Sequence, residues 1–78
     1  MRPYPVIDPK ATGENIRARR LAAGYTIPEL QAYFGFADVQ AIYRWQNGTN
    51  LPTLENMYAL STLLGITVNE LVAERKQL

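Results

Sequence analysis

The sequence predicts an all-α domain, a compact bundle of five helices preceded by an extended proline-rich arm, and three observations carry that prediction. Apolar residues recur at helical rather than alternating spacing, so no segment reads as a strand. Capping residues and glycines bracket each apolar run, which is the punctuation of short helices. A chain of 78 residues builds one small core, and short helices joined by tight turns fill such a core economically. The division that follows is an arm over residues 1–11 and a helical domain over 12–78.

The arm comes first. Pro3, Pro5 and Pro9 lie within the first ten residues, and proline fixes φ while removing a donor, so "MRPYPVIDPK" reads as extended chain. Thr12 suits the cap of a helix running to about Ala23, and Gly24 suits its left-handed stop. Ala18, Leu21, Ala22 and Tyr25 give that helix a modest apolar stripe. "TIPEL" opens the second helix, about 27–34. Thr26 and Glu29 have capping-box spacing, Pro28 is tolerated in a first turn, and Gly35 closes the helix. Asp38 then suits the cap of a third helix, about 39–47, stopped by Gly48. Asn47-Gly48 between alternating strands would signal a hairpin, but its flanks have period 3.6. In the fourth helix Thr53 caps, Leu54, Met57, Leu60, Ser61 and Leu64 share a face, and Gly65 stops it. Thr67 and Glu70 repeat the capping box and open a last helix to about Arg75.

Composition removes several function classes. There is no cysteine and no histidine, hence no disulfide, no thiolate chemistry, no usual zinc site and no histidine general base. The seven acids form no paired-carboxylate motif and no metal-ligand spacing. Neither catalysis, a cofactor nor a metal is expected. No apolar run approaches the roughly 20 residues of a membrane span, and the start lacks a signal-peptide core. The expected location is therefore cytoplasmic, with no membrane partner. Net charge is only +1, yet its distribution is uneven. Arg17, Arg19 and Arg20 cluster without an intervening acid, Arg44 stands alone between Val39 and Leu54, and Glu55, Glu70 and Glu74 gather late. A locally basic front is compatible with phosphate binding, although arginine clusters are commonly solvated helix faces.

The stretch "VQAIYRWQNG", Val39 to Gly48, concentrates the functional question. Ile42 and Trp45, joined by Ala41, form the inward face of its helix. With Leu30 they are the expected core of the two central helices, and Trp45 reads as packing rather than as a stacking platform. Gln40, Tyr43, Arg44 and Asn47 fall on the other side, with Val39 at the leading edge. Glutamine offers a paired donor and acceptor to adenine, and arginine offers two donors to guanine. Tyr43 suits a thymine methyl, a phosphate, or packing along its own helix.

A short capped helix, a turn containing glycine and a second short helix make a helix-turn-helix, whose second helix lies in the DNA major groove. "ENIRARRLAAGYT", "IYRWQNGTNLPTLENMYAL" and "LLGITVNELV" resemble the Cro and lambda-repressor type of helix-turn-helix domain, the XRE-like family. The likeness runs from Thr12 to Ala73, and "QAIYRWQNG" is similar to small stand-alone bacterial members. The resemblance implies a lambda-repressor-like DNA-binding fold. It places Val39, Gln40 and Arg44 at base edges and Asn47 on a phosphate; Tyr43 is a further candidate for base contact, and Thr49, Asn50 and Arg17 are further candidates for phosphate contact. Arg17 and Arg19 equally suit solvent. Arg20 matches a position commonly paired with a glutamate; here the partner position is Gln46, so a neutral hydrogen bond would replace the ion pair and Arg20 is structural first.

Departures accompany the likeness. Ile27 stands where many members carry a phosphate-gripping glutamine. Thr49-Asn50 replaces a loop that often holds lysine, and the turn through Phe36, Ala37 and Asp38 is one residue longer than usual. Fewer phosphate clamps imply weaker non-specific binding and a shallower salt dependence. The functional expectation is sequence-specific binding of double-stranded DNA by a small transcriptional regulator. A repressor acting as a homodimer on a palindromic operator is the favoured form, with half-sites about 34 Å apart. The last helix, through Val68, Leu71 and Val72, and the tail to Leu78 are candidates for the dimer contact, although these residues also suit closing the core, and Leu71 is read that way first. The alternative is an antitoxin or other interaction module that uses the fold to bind a protein partner such as a toxin. An exposed apolar patch on the last two helices would favour the partner; a basic face across Arg17, Arg44 and Asn47 would favour DNA.

Overall fold

The computed structural model describes residues 4–76; Pro3 of the arm and the tail end at Gln77 and Leu78 lie outside them. Five helices follow in order: α1 Pro9–Ala23, α2 Ile27–Phe34, α3 Gln40–Asn47, α4 Leu54–Leu64 and α5 Val68–Leu71. No strand forms among the described residues beyond one antiparallel bridge, Ile7 with Glu74. Ile16, Leu30, Ile42, Leu60 and Leu71 are wholly buried, one from each helix, and Ile27, Trp45 and Met57 complete the core. One fully buried aliphatic per helix ties all five elements to a single centre.

The capping grammar largely holds. Thr26 with Glu29 and Thr67 with Glu70 form reciprocal boxes, and Thr53 accepts from the Asn56 amide at 3.2 Å. Four corrections have physical causes. First, α1 starts at Pro9 and not after Thr12. Asp8 is the cap, its Oδ1 accepting from the Ala11 amide at 3.1 Å. Pro9 stands in the first turn, where its missing N–H leaves nothing unpaired. Thr12 is instead buried inside the helix, and its hydroxyl accepts from the Ala73 amide at 3.0 Å.

Second, the buried face of α1 is Thr12, Gly13, Ile16 and Arg20, while Ala18, Leu21 and Ala22 are exposed. The buried face differs from the apolar stripe because α3 approaches Gly13 so closely that no side chain fits there, and Thr12 and Arg20 are buried by distant hydrogen-bond partners. A Cβ on Gly13 would strike the Trp45 carbonyl oxygen and lie 2.6 Å from that of Gln46. Third, Leu54 is 80% exposed and Leu64 half-buried, so only Met57, Leu60 and Ser61 of the expected α4 face are buried. Fourth, α5 is a single turn that ends at Leu71, not Arg75. From Val72, at φ −80° and ψ 136°, the chain is extended. It pairs with the arm: the Asp8 amide donates to the Ala73 carbonyl at 2.8 Å, and the Arg75 amide to the Val6 carbonyl at 2.7 Å. Those backbone partners lie more than sixty residues away along the chain, and they displace the local helical ones.

Candidate nucleic-acid interface

The candidate site is α3, and its inner face is what makes its outer face rigid. Ile42 is wholly buried and Trp45 is 5% exposed. Trp45 meets Phe34 and Phe36 edge to face, with ring centroids 5.3 and 5.6 Å away, and those two phenylalanines stack at 5.2 Å. Such arrangements match the quadrupoles of the rings. They clamp the end of α2, the intervening turn and α3 into one unit. Gln31 adds a hydrogen bond from its side-chain amide to the Phe36 carbonyl, 3.2 Å. The turn between α2 and α3 is thus filled with aromatic packing.

The start of α3 differs by one residue from expectation. Val39, not Asp38, is the cap residue, and its side chain makes no capping bond. Asp38 supplies the missing acceptor from one position further out: its Oδ1 takes the Gln40 amide at 2.9 Å. Val39 is half-buried and packs against the core, so only part of its surface is available to a base. At the other end Gly48, at φ +82°, closes the helix in the left-handed region that favours glycine. A Cβ there would lie 2.7 Å from the Lys10 Cα. The first turn of α1 and the turn after α3 are therefore in backbone contact.

Gln40, Tyr43, Arg44 and Asn47 are all exposed on the opposite side of α3. Arg44 Nη2 donates to Gln40 Oε1 at 3.4 Å. Tyr43 is 51% exposed, so half its surface stays in contact with the protein and half is available to a partner. Asn47 Oδ1 accepts from the Thr49 hydroxyl at 2.6 Å and from the Thr49 amide at 3.0 Å. That leaves the Asn47 amide NH₂, a pure donor, as the group it can offer a phosphate oxygen. Asn50 is exposed in the same turn, where its amide donates to the Arg44 carbonyl at 3.3 Å.

The arginines of α1 separate into three roles. Arg20 is 8% exposed; its Nε donates to Gln46 Oε1 at 2.9 Å and its Nη1 to the Tyr25 carbonyl at 2.8 Å. The hydrogen bond that takes the place of the ion pair does form, from the charged guanidinium to a neutral amide oxygen, and Arg20 ties α1 to the end of α3. Arg19 faces Glu70 at 3.9 Å, both side chains being about half exposed, a pair worth little in water. Arg17 is exposed, and helical spacing puts it on one flank of α1 with Lys10 and Glu14, so a carboxylate stands among the basic groups of that flank.

Lys10 is a residue the sequence did not single out. It is exposed and lies beside Gly48, where the loop after α3 begins. No local signal marks it, because its neighbour is 38 residues further along and only the fold brings them together. The α2 N-terminus is conversely self-sufficient. Ile27 is buried, and Glu29 Oε1 accepts from the Thr26 amide at 2.9 Å. The hydrogen bonds from the Thr26 backbone and then its hydroxyl hold the Glu29 carboxyl below its ordinary range. The Glu29 carboxylate thus takes up the amide and hydroxyl donors of Thr26 at this end of α2.

Comparisons with known proteins agree with this geometry. A family model described as "Helix-turn-helix" matches residues 16–71. The chain is similar in fold to the DNA-binding domain of BldD, in a crystal structure at 21% identity and TM-score 0.72, covering 85% of this chain and 94% of that one. The S. venezulae BldD DNA-binding domain is alike at the same identity and TM-score, covering 85% of this chain and 97% of that one. No curated protein matches the sequence. The match over 16–71, with α2, the turn and α3 arranged as described, places the chain in the helix-turn-helix family, of the XRE type.

Proposed function

We propose that this chain is a sequence-specific double-stranded DNA-binding regulator of transcription, acting in the cytoplasm as a repressor and as a homodimer on a palindromic operator. One observation carries the reading: α3 locks Ile42 and Trp45 into the core while Gln40, Tyr43, Arg44 and Asn47 stand exposed on its other side. A rigid helix with amide and guanidinium groups outward is what direct readout of base edges requires. The known DNA-binding domains of like fold support the reading. Asn47, Thr49, Asn50 and Arg17 serve the phosphates, and Lys10 joins them. The capped α2 N-terminus removes one clamp, which keeps non-specific binding weak. Selection of random duplex DNA with the purified protein tests the reading. A palindromic enriched sequence supports it, and the absence of any enriched sequence refutes it.

A second reading rests on a different surface. Leu54, Tyr58 and Tyr33 are 80%, 61% and 49% exposed, and with Val68 they line an open groove of about 620 Å³. A contiguous apolar groove of this kind marks protein contact. It suits a partner protein such as a toxin as well as the second copy of a dimer. Tyr58→Lys separates this surface from α3: it should weaken self-association or partner binding in sedimentation while leaving the fold intact.

A further inference from the structure

We propose that Gln40 is a positioning residue for Arg44, so that the two side chains read one guanine together and Gln40 is no independent reader of adenine. The inference rests on the DNA-binding reading above and assigns the chemistry of its central pair. Its basis is the hydrogen bond from Arg44 Nη2 to Gln40 Oε1 at 3.4 Å, between two exposed residues one turn apart on α3. Residues at that spacing share a helix face, so the contact follows from the backbone itself.

A glutamine that reads adenine needs both ends of its amide: Nε2 donates to N7, and Oε1 accepts from the N6 amino group. Here Oε1 already holds a guanidinium N–H. An adenine edge would bring a second donor to that oxygen and set its amino group against a positive charge. What Gln40 retains is Nε2, which only donates. Arg44 has five N–H donors in a planar fork and no acceptor. One held by Gln40 leaves others free for guanine O6 and N7, and it fixes the roll of the fork about a flexible side chain. Fixing that roll reduces the ordering that binding would otherwise require. The neighbouring carboxylate does not compete: Asp38 Oδ1 is turned to the backbone amide of Gln40 at 2.9 Å. The remaining lone pair of Oε1 stands beside the guanidinium charge, so donors dominate the outward chemistry of the pair, which matches guanine better than the amino groups of adenine and cytosine.

The test is selection from random duplex DNA with the full chain and with Gln40→Ala, Gln40→Glu, Arg44→Ala and the Gln40→Ala/Arg44→Ala double variant, each checked for helicity. Base preference at each position is read separately from total affinity. The expected wild-type motif has one guanine whose selectivity is lost in Arg44→Ala and falls about threefold or more in Gln40→Ala, as for directly coupled residues. The double variant should match Arg44→Ala within about twofold if Gln40 acts only through Arg44. Gln40→Glu is the discriminating variant. Its carboxylate keeps an acceptor for Arg44 but loses Nε2, so it should retain guanine selectivity at whatever total affinity its charge allows. The proposal is overturned if Gln40→Ala and Gln40→Glu both relax a separate adenine while the guanine persists, or if the two alanine effects multiply. If the wild-type chain enriches no sequence, the DNA reading itself has failed, and the proposal falls with it.

Discussion

At the scale of single residues, α3 separates a buried face from an exposed one along one helix, and under the proposed function these faces carry stability and recognition. Trp45 is 5% exposed and contacts two phenylalanine rings, so Trp45→Ala should destabilise by about 3–5 kcal/mol. Arg44 is exposed, and its side chain touches only Gln40 among the polar contacts of the described residues. Arg44→Ala should leave the denaturation midpoint close to wild type and reduce specific DNA affinity by about 1–3 kcal/mol. Urea unfolding and a binding titration on the selected operator check both. Unfolding of Arg44→Ala would mean that the faces of α3 are assigned wrongly.

At the scale of elements, helix ends and one close approach decide where α3 lies. Gly13 admits the Trp45 and Gln46 carbonyls of α3 where a Cβ would collide. Gly13→Ala should therefore destabilise by about 1–3 kcal/mol, the range for overpacking, and should shift α3 resonances in NMR spectra more than those of α4. The capping boxes make stability sensitive to acid. Glu29 and Glu70 carry folded pKa values lowered from 4.5, first by the backbone amides of Thr26 and Thr67 and then by their hydroxyls. A depressed folded value means the unfolded chain takes up protons first as pH falls. The contribution is thus fully present above the unfolded pKa and is lost through the folded values below it. Melting temperature should hold near neutrality and decline below about pH 5, the upper edge of carboxylate titration. Thr26→Ala should lower stability by about 1 kcal/mol and flatten part of that decline. Unchanged acid sensitivity in Thr26→Ala would remove the capping box as its source.

At the scale of the whole molecule, the two ends of the chain fasten each other over α1 and α5. The arm and tail exchange backbone bonds, Asp8 to Ala73 and Arg75 to Val6, and Asn15 donates to the Leu71 carbonyl at 3.1 Å. Thr12 is the hinge of this arrangement because its buried hydroxyl accepts from the Ala73 amide. Thr12→Val keeps the shape and removes that acceptor, so an amide is stranded at about 1–3 kcal/mol. Hydrogen exchange should quicken together at Asp8, Ala73 and Arg75. If only Ala73 exchanges faster, arm and tail do not act as one unit.

Local chemistry determined much of this protein before folding is considered. Glycine stops at 24, 35, 48 and 65 all take positive φ, and Thr26, Thr53 and Thr67 all cap, because both rules act within one helical turn. The inward and outward faces of α3 were legible for the same reason, since a 3.6-residue period places Ile42 and Trp45 opposite Gln40 and Arg44. Tertiary structure decided everything that depends on a distant neighbour. The buried face of α1 combines Ile16 with Thr12, Gly13 and Arg20, because α3 lies against Gly13 and distant partners take up the two polar side chains. Lys10 reaches the C-terminal end of α3 through its contact with Gly48. The chain after Leu71 is extended because the arm offers partners for its backbone. Leu54, which shares a helical stripe with Met57, is left exposed because no element covers it among the described residues. Periodicity states which residues share a face; only the packed fold states which faces meet.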